Sequence, residues 1–116
     1  MAQKVLFIDR DGTMIKETID EQIDGFDKMI FYPKCIPYLS KIAKELNFEL
    51  VMITNQDGLG TASFPEETFW PVHNFIMKTF ENEGVVFDKI CIDRTFPQEN
   101  APTRKPGTGL NRIFFR

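Results

Sequence analysis

Three short apolar runs along the chain predict buried strands. Residues 5–8 (VLFI), 49–54 (ELVMIT) and 87–93 (FDKICID) lack the strict alternation of polar and apolar positions that a half-exposed strand shows. A nearly continuous apolar run of this length is typical of a strand that is buried on both faces of a parallel sheet. The first two runs are followed directly by turn-forming segments at 9–13 and 55–58.

Two stretches between these runs have apolar residues at helical spacing. Pro33 and Pro37 lie at the start of the first predicted helix, where proline is tolerated. The second begins with a capping box at residues 63–66 (SFPE), is started or kinked by Pro71 and stops at Gly84. The apolar positions are Ile36, Leu39, Ile42, Ala43 and Leu46 in the first helix and Val72, Phe75, Ile76, Thr79 and Phe80 in the second.

The order strand, helix, strand, helix, strand defines the predicted fold class. With right-handed crossovers it gives an α/β fold, a Rossmann-like parallel sheet with helices on both faces. Two segments do not fit this pattern. Residues 15–32 are acidic and irregular, which favours a flap or short hairpin over the strand ends, and residues 95–109 carry three prolines and are expected to form a long loop.

Composition and charge narrow the function classes. A chain of 116 residues supports one core, so we expect residues 1–116 to form a single domain. The net charge is −3 and the sequence pI is about 5.1, which argues against a nucleic-acid or anionic-membrane partner. The 12 Phe residues are expected to be core rather than a base-stacking platform, because no basic run accompanies them.

The cysteines and the N-terminus indicate the compartment. Cys35 and Cys91 do not make a disulfide framework, so we expect inert thiols in a reducing compartment. The apolar run near the N-terminus, residues 5–8, is too short for a signal peptide or a membrane span. A cytoplasmic protein is therefore expected.

Chemically suggestive side chains follow each predicted strand. In open parallel sheets, ligands bind beyond the carboxyl ends of the strands. Two carboxylates, a hydroxyl and a lysine at such an edge are the parts of a phosphoryl-transfer site, in which one carboxylate attacks phosphorus and the other moves a proton. The residues at the three strand ends are Asp9 and Asp11, then Thr54 and Asn55, then Arg104 and Lys105.

The spacing of the two aspartates supports this division of labour. Residues two apart on an extended strand end face the same side, so Asp9 and Asp11 can address one phosphate. Gly12 allows the backbone to approach that phosphate closely.

These motifs resemble a known enzyme family. Residues 7–13 (FIDRDGT) are similar to the first motif of the haloacid dehalogenase superfamily of phosphatases, Thr54 to its second and Lys105 to its third. The segment 53–61 (ITNQDGLGT) resembles the histidinol-phosphatase domains of histidine biosynthesis, as do 63–65, 73–74 and 84–88, so the similarity covers essentially the whole chain. Heptose bisphosphate phosphatases and polynucleotide 3′-phosphatases share the Thr-Asn-Gln part but typically follow it with a different Gly-rich loop.

The resemblance implies a role for each matched residue. Asp9 is the expected nucleophile, and Asp11 the acid that protonates the leaving alkoxide and later activates water. Mg²⁺ is expected on the Asp9 carboxylate and the Asp11 backbone carbonyl. Thr54, Asn55 and Lys105 are expected to hold phosphate oxygens.

Glu17 and His73 each have a structural and a functional interpretation. The acids between residues 17 and 27 are most simply a solvated face, but a substrate with an ammonium and an imidazole group gives Glu17, nearest the motif, a binding role. His73 is the sole histidine, and we expect it to be structural rather than catalytic.

The chain departs from the family pattern at two places. The positions of the family's zinc ligands hold Asp93, Thr95, Ala101 and Thr103, so no zinc is expected. The fourth motif, which supplies an acidic Mg²⁺ ligand, would fall beyond Arg116. We therefore expect a partial domain that lacks its C-terminal strands and exposes the edge of the first strand.

The expected function is hydrolysis of L-histidinol phosphate through an aspartyl-phosphate. Another small-molecule phosphatase, such as a sugar bisphosphate phosphatase, and a catalytically silent phosphate-binding fragment are the alternatives. The expected partner is a small phosphate ester. Homo-oligomer formation and fusion to an imidazoleglycerol-phosphate dehydratase domain in the parent protein both stay open.

Overall fold

A parallel sheet forms the centre of the fold. The computed structural model describes residues 4–20 and 22–95. Its strands β1 (Lys4–Asp9), β2 (Phe48–Asn55) and β3 (Lys89–Asp93) pair in parallel in the order β1-β2-β3. The α/β class and the parallel sheet predicted from the sequence are confirmed, with β3 two residues shorter than expected at its start.

Two α-helices connect the strands. Helix α1 (Cys35–Glu45) follows Lys34, which has a left-handed backbone (φ 66°). Helix α2 (Glu66–Asn82) runs through Pro71, so the helix does not start at this residue, and the alternative that Pro71 kinks it stays a prediction. The proline removes one backbone hydrogen bond, and the buried residues on both sides of it hold the helix together.

The predicted capping box of α2 is also wrong. The residue before the helix is Pro65 in an extended conformation, and no side chain caps the first turn. Ser63 is used in the preceding turn, where its hydroxyl lies 2.9 Å from that of Thr61. The apolar face is rotated as well, because Phe69 and His73 are buried whereas Phe75, expected inside, is 47% exposed.

Both helices pack on one face of the sheet. Leu50 and Met52 of β2 share a core cluster with Leu39 of α1 and with Ile76 and Phe80 of α2. Right-handed crossovers that add strands in one direction put their helices on the same side. Helices on the second face remain a prediction for the chain beyond the described residues.

The opposite face of the sheet carries its own apolar cluster. Val51 is fully buried there, with Val5, Phe7, Ile53 and Cys91 packed against it. Cys91 and the buried Cys35 are free thiols, and burial raises the pKa of each. A raised pKa lowers the thiolate fraction, in agreement with the expectation of unreactive cysteines.

The segment between β1 and α1 is the predicted hairpin-like flap. Ile15 pairs antiparallel with Phe31, and the Tyr32 amide donates to the Met14 carbonyl at 2.9 Å. Met14, Ile15 and Ile23 are buried, so the flap contributes to the core. Among the residues of the flap that the structure describes, a short 3₁₀ turn at Phe26–Lys28 is the one helical piece.

Several sequence predictions fall outside the described residues. These are most of the loop at 95–109, Arg104, Lys105, and everything that follows them. Within the described ranges β1 pairs with β2 alone and lies at one edge of the sheet. None of the helices in those ranges is long and apolar enough to cross a membrane.

Candidate active site

The strand ends gather the predicted residues at one edge of the sheet. Asp9 is the last residue of β1, and Thr54 and Asn55 are the last two residues of β2. The register pairs Asp9 with Ile53, and Asn55 with Asp93 at the end of β3. The three strands therefore end at nearly the same height, at one edge of the sheet.

A tight turn follows Asp9. The Arg10 carbonyl accepts hydrogen bonds from the amides of Met14 (2.9 Å) and Ile15 (3.1 Å), and the Gly12 amide donates to the Ile15 carbonyl at 2.7 Å. Gly12 has a φ of 92°, a conformation that a side chain disfavours. The turn thus favours glycine at this position.

Glu17 lies beside this turn. A Cβ atom built on Gly12 would stand 2.9 Å from Glu17 Oε1, so the carboxylate rests against the glycine. The structure thus puts this acid next to the candidate catalytic loop, at an exposed position of the flap.

The Asp11 carboxylate is held by two neighbours. Arg10 donates to it through Nε (2.6 Å to Oδ1) and, at 3.4 Å, through Nη2 to Oδ2. The side-chain amide of Gln56 donates to Oδ2 at 3.0 Å, and the same amide lies 2.8 Å from the Thr54 hydroxyl. Gln56 therefore connects the first candidate motif to the second.

Arg10 also reaches the second helix. Its Nη1 donates to Nδ1 of His73 at 2.9 Å, and its guanidinium lies 5.0 Å from the ring centre of Phe69. Burial, and then the charge of Arg10, lower the pKa of His73 to about 4, against a smaller raising effect of Asp11. The imidazole is accordingly neutral at pH 7.

A glycine-containing loop positions Gln56. The Gln56 amide donates to the Asp93 carbonyl at 2.7 Å, and the Gly58 amide to the Arg94 carbonyl at 2.8 Å. Gly58 and Gly60 have φ values of 73° and 94°. The loop is thereby anchored to the end of β3, which fixes where the Gln56 side chain emerges.

Arg10, Gln56 and His73 were not recognised as site residues from the sequence. One signal was available, since His73 lies four residues after Phe69 and three before Ile76, on the buried face of α2. A charged residue between two strand-end aspartates, as at Arg10, also has to be paired when it is buried. His73 is structural in the sense expected, although it contacts the site through Arg10.

The zinc positions are only partly described. The Asp93 carboxylate accepts hydrogen bonds from the amide and the hydroxyl of Thr95, whereas Ala101 and Thr103 lie outside the described residues. Among residues 4–20 and 22–95, no group of three or more His, Cys, Asp and Glu side chains is arranged to hold a metal ion. The absence of zinc therefore remains a prediction.

The donor set at the strand ends suits magnesium. Mg²⁺ prefers oxygen ligands, keeps several waters, and is commonly bound through one or two carboxylates together with substrate phosphate. The Asp9 carboxylate, half-buried at the end of β1, and the backbone of the turn at Asp11 offer oxygen donors of that kind. A closed protein cage is not needed for this mode of binding.

Comparison with known proteins finds a phosphatase family and proteins of histidine biosynthesis. The model of the family described as "Polynucleotide kinase 3 phosphatase" matches residues 4–116. The chain is 58% identical over 111 residues to the histidine biosynthesis bifunctional protein HisB of Bacteroides fragilis, and 55% identical over 114 residues to that of Spirosoma linguale. These alignments cover 95% and 97% of the chain but 30% of each relative, so the chain spans about a third of their length.

Solved structures show the same fold. A D,D-heptose 1,7-bisphosphate phosphatase of B. bronchiseptica, solved with magnesium and phosphate, superposes with a TM-score of 0.81 at 24% identity over 96% of the chain and 61% of that protein. A haloacid dehalogenase-like phosphatase from Mesorhizobium loti gives a TM-score of 0.73 at 25% identity, over 96% of the chain and 55% of its own.

Proposed function

The chain belongs to the polynucleotide kinase 3 phosphatase family, and from this premise we propose that it is a phosphomonoesterase that hydrolyses L-histidinol phosphate to L-histidinol and phosphate. The observation that carries the proposal is the geometry of the strand ends. Asp9 closes β1, and Asp11, two residues on, is bridged through Gln56 to Thr54 at the end of the adjacent strand.

In the first step the Asp9 carboxylate attacks phosphorus. The bond from phosphorus to the ester oxygen breaks, and Asp11, which has to enter this step as the protonated acid, gives its proton to the departing alkoxide. The products of this step are free histidinol and a phosphoryl group on Asp9. In the second step Asp11 takes a proton from water, the water oxygen attacks phosphorus, and the Asp9 carboxylate leaves with inorganic phosphate released.

The transferred phosphoryl group needs hydrogen-bond donors and positive charge around it. We assign its oxygens to the Thr54 hydroxyl, to Asn55 and to Lys105. Bound at Asp9 and the Asp11 carbonyl, Mg²⁺ would offset the repulsion between carboxylate and phosphate.

Substrate choice is assigned to the flap. L-Histidinol phosphate carries an ammonium and an imidazole group, and Glu17 holds a carboxylate beside the catalytic turn. The same acid, in a chain of net charge −3, disfavours a polyanionic substrate such as a nucleic acid. The relatives named for histidine biosynthesis support the same choice.

The proposal concerns one activity, a phosphatase, within a longer protein. The relatives are named as bifunctional, and we assign to this chain their phosphatase function as one domain acting in the cytoplasm. Fusion to a dehydratase domain and self-association belong to the same proposal and require the whole protein to test.

A panel of phosphomonoesters tests the function. The full chain is assayed with Mg²⁺ on L-histidinol phosphate, a heptose bisphosphate, glycerol phosphate and a 3′-phosphorylated oligonucleotide, with Asp9→Asn as the background control. The highest kcat/KM is expected for histidinol phosphate, and Asp9→Asn should lower it by at least about 10³-fold because an amide is not a nucleophile.

Other outcomes identify the alternatives. Equal or better turnover of a sugar phosphate would replace histidinol phosphate as the substrate, and preferred turnover of the oligonucleotide would contradict the flap assignment. Phosphate binding without turnover of any ester would leave a silent binding module.

A further inference from the structure

Arg10 is a buried cation that contacts Asp11, His73 and Phe69. Its side chain is 1% exposed, although it lies between the two aspartates of the candidate catalytic turn. Nε and Nη2 face the Asp11 carboxylate, Nη1 faces His73, and the plane of the guanidinium lies over the Phe69 ring. A guanidinium donates in a fixed planar fork, so these contacts leave it a single orientation.

The hydrogen bond to His73 holds the Nη1 end of the Arg10 guanidinium. Arginine has no acceptor, so Nδ1 of His73 must accept and the ring proton must lie on Nε2. The imidazole stacks on Phe69 with ring centres 5.0 Å apart and meets Trp70 edge-on at 5.5 Å. Helix α2 thus supplies a rigid support behind Arg10.

Both oxygens of Asp11 are engaged from opposite directions. Arg10 Nε binds Oδ1, and the Gln56 amide binds Oδ2. Rotation of the carboxylate about its last side-chain bond would break at least one of these hydrogen bonds. The carboxylate plane is consequently set by Arg10 and Gln56.

Stability alone does not account for Gln56 at this position. Its side chain is fully buried, and within the described part of the chain its Oε1 has no hydrogen-bond partner. A buried acceptor left unsatisfied costs stability, and a buried ion pair such as Arg10–Asp11 is weak evidence for stabilisation. What the buried Gln56 and the buried Arg10 have in common is that each orients the Asp11 carboxylate.

We propose that Arg10 and Gln56 are positioning residues that fix the Asp11 carboxylate for proton transfer to the leaving group. The inference rests on the proposed function, since the group being positioned is its general acid. Neither residue exchanges a proton or bond with the substrate. Each acts through the direction in which Asp11 points.

Leaving-group dependence separates positioning from a structural role. Gln56→Leu keeps the volume approximately but removes the donor to Asp11. With the full chain and Mg²⁺, kcat on histidinol phosphate should fall about 10- to 100-fold with KM changed less than about threefold. The loss on p-nitrophenyl phosphate should be less than about threefold, because its leaving group hardly needs a proton. Arg10→Lys, which keeps the charge but not the fork, should show the same selectivity.

A double-mutant cycle with Asp11→Asn tests the coupling directly. Once Asp11 cannot transfer a proton, adding Gln56→Leu should cost less than about twofold on histidinol phosphate. Val72→Ala, a buried change in the core cluster on helix α2, is the control for a loss of packing and should affect both substrates equally. Equal losses on both substrates for Gln56→Leu, or a full loss in the Asp11→Asn background, would overturn the proposal.

A spectroscopic readout is independent of turnover. The Arg10 Nε–H signal in a ¹H–¹⁵N spectrum, assigned by its loss in Arg10→Lys, should exchange slowly with water. It should shift in Asp11→Asn and in Gln56→Leu but not in Val72→Ala. An inactive wild-type chain with this pattern would reject the proposed function and keep the positioning contact, whereas a rapidly exchanging signal insensitive to Asp11→Asn would reject the contact itself.

Discussion

At the scale of single residues, His73 is a buried group whose protonation state is set by its surroundings. Its side chain is 3% exposed, and burial followed by the nearby Arg10 charge lowers its pKa from 6.5 to about 4. The hydrogen bond from Arg10 requires the neutral ring for an independent reason, because Nδ1 must act as an acceptor. Protonation of His73 would therefore break the support behind Arg10.

This pKa shift predicts a pH dependence of stability. Below about pH 6.5 the unfolded chain binds a proton at His73 that the folded chain binds only near pH 4. The free energy of unfolding should therefore fall as the pH drops from 6.5 to 4, by about 3 kcal/mol in total from this group. Urea unfolding between pH 7.5 and 4.5 measures the slope.

His73→Gln is the control for that slope. It lacks the titrating group and should lose this part of the pH dependence, so identical slopes for the two proteins would contradict the assignment. Asp20, whose pKa is lowered from 3.8 to about 2 by hydrogen bonds from Lys28 and Thr18, loses its contribution only below this pH range.

Glu17 gives a prediction about specificity. Glu17→Gln should raise KM for histidinol phosphate about tenfold, because a charge-assisted contact to the substrate ammonium is lost, and should leave KM for p-nitrophenyl phosphate unchanged. Asp27→Asn, a second exposed acid of the same flap, serves as the matched control and should change neither. A similar rise in KM for both substrates would indicate that Glu17 affects the catalytic turn instead of the substrate's cationic groups.

The strand-end residues could be predicted from the sequence because parallel strands bring their carboxyl ends to one edge. That rule places Asp9, Thr54 and Asn55 without any knowledge of side-chain packing. The partnership of Arg10 with His73 could not be predicted in this way, since 63 positions separate them and their meeting depends on how α2 lies against β1.

At the scale of elements, helix α2 has a well-defined end. The Val85 amide donates to the Phe80 carbonyl (2.9 Å) and the Gly84 amide to the Glu81 carbonyl (3.0 Å), with Gly84 at a φ of 84°. This is the hydrogen-bond pattern of a Schellman motif, and Phe80 and Val85 are both buried in the core. The glycine stop was predictable, because few other residues adopt this conformation.

Gly84→Ala tests that end. A left-handed conformation costs an alanine roughly 1–2 kcal/mol, and its Cβ would lie 3.2 Å from Lys44 Cε. The variant should lose about that much free energy of unfolding in urea. Gly25→Ala is the control for backbone strain, since Gly25 has an extended φ of −167° that any residue adopts. Its Cβ would lie 2.5 Å from Asp27 Oδ1, and this exposed side chain has room to turn away. Equal stability of Gly84→Ala and the wild type would contradict the motif's role.

The start of α2 shows where element prediction fails. A capping box at residues 63–66 is a local pattern, and a competing local pattern, the turn between Thr61 and Phe64, uses Ser63 instead. Pro71 was expected to start or kink the helix. The helix does not start there, because burial of Phe69 and Val72 around the proline keeps one continuous element. A competing local turn decided the first case, and tertiary packing decided the second.

At the scale of the whole molecule, the packed helices and the candidate active site lie at different parts of the sheet. Both described α-helices cover one face of the sheet, and the strand ends that carry Asp9 and Thr54 are adjoined by loops and the flap. The chain spans about 30% of the length of its bifunctional relatives. The activity of the whole protein is therefore a proposal that the strand-end chemistry has to support.

Trapping the phosphorylated enzyme tests the central claim most directly. The full chain is mixed with Mg²⁺ and L-histidinol phosphate, quenched in acid during the first turnovers and reduced with borohydride, which converts an aspartyl-phosphate into homoserine. Peptide mass spectrometry should find homoserine at Asp9, and none in an Asp9→Asn sample or without substrate. Homoserine at another aspartate, or steady release of phosphate with Asp9 never modified, would contradict the account.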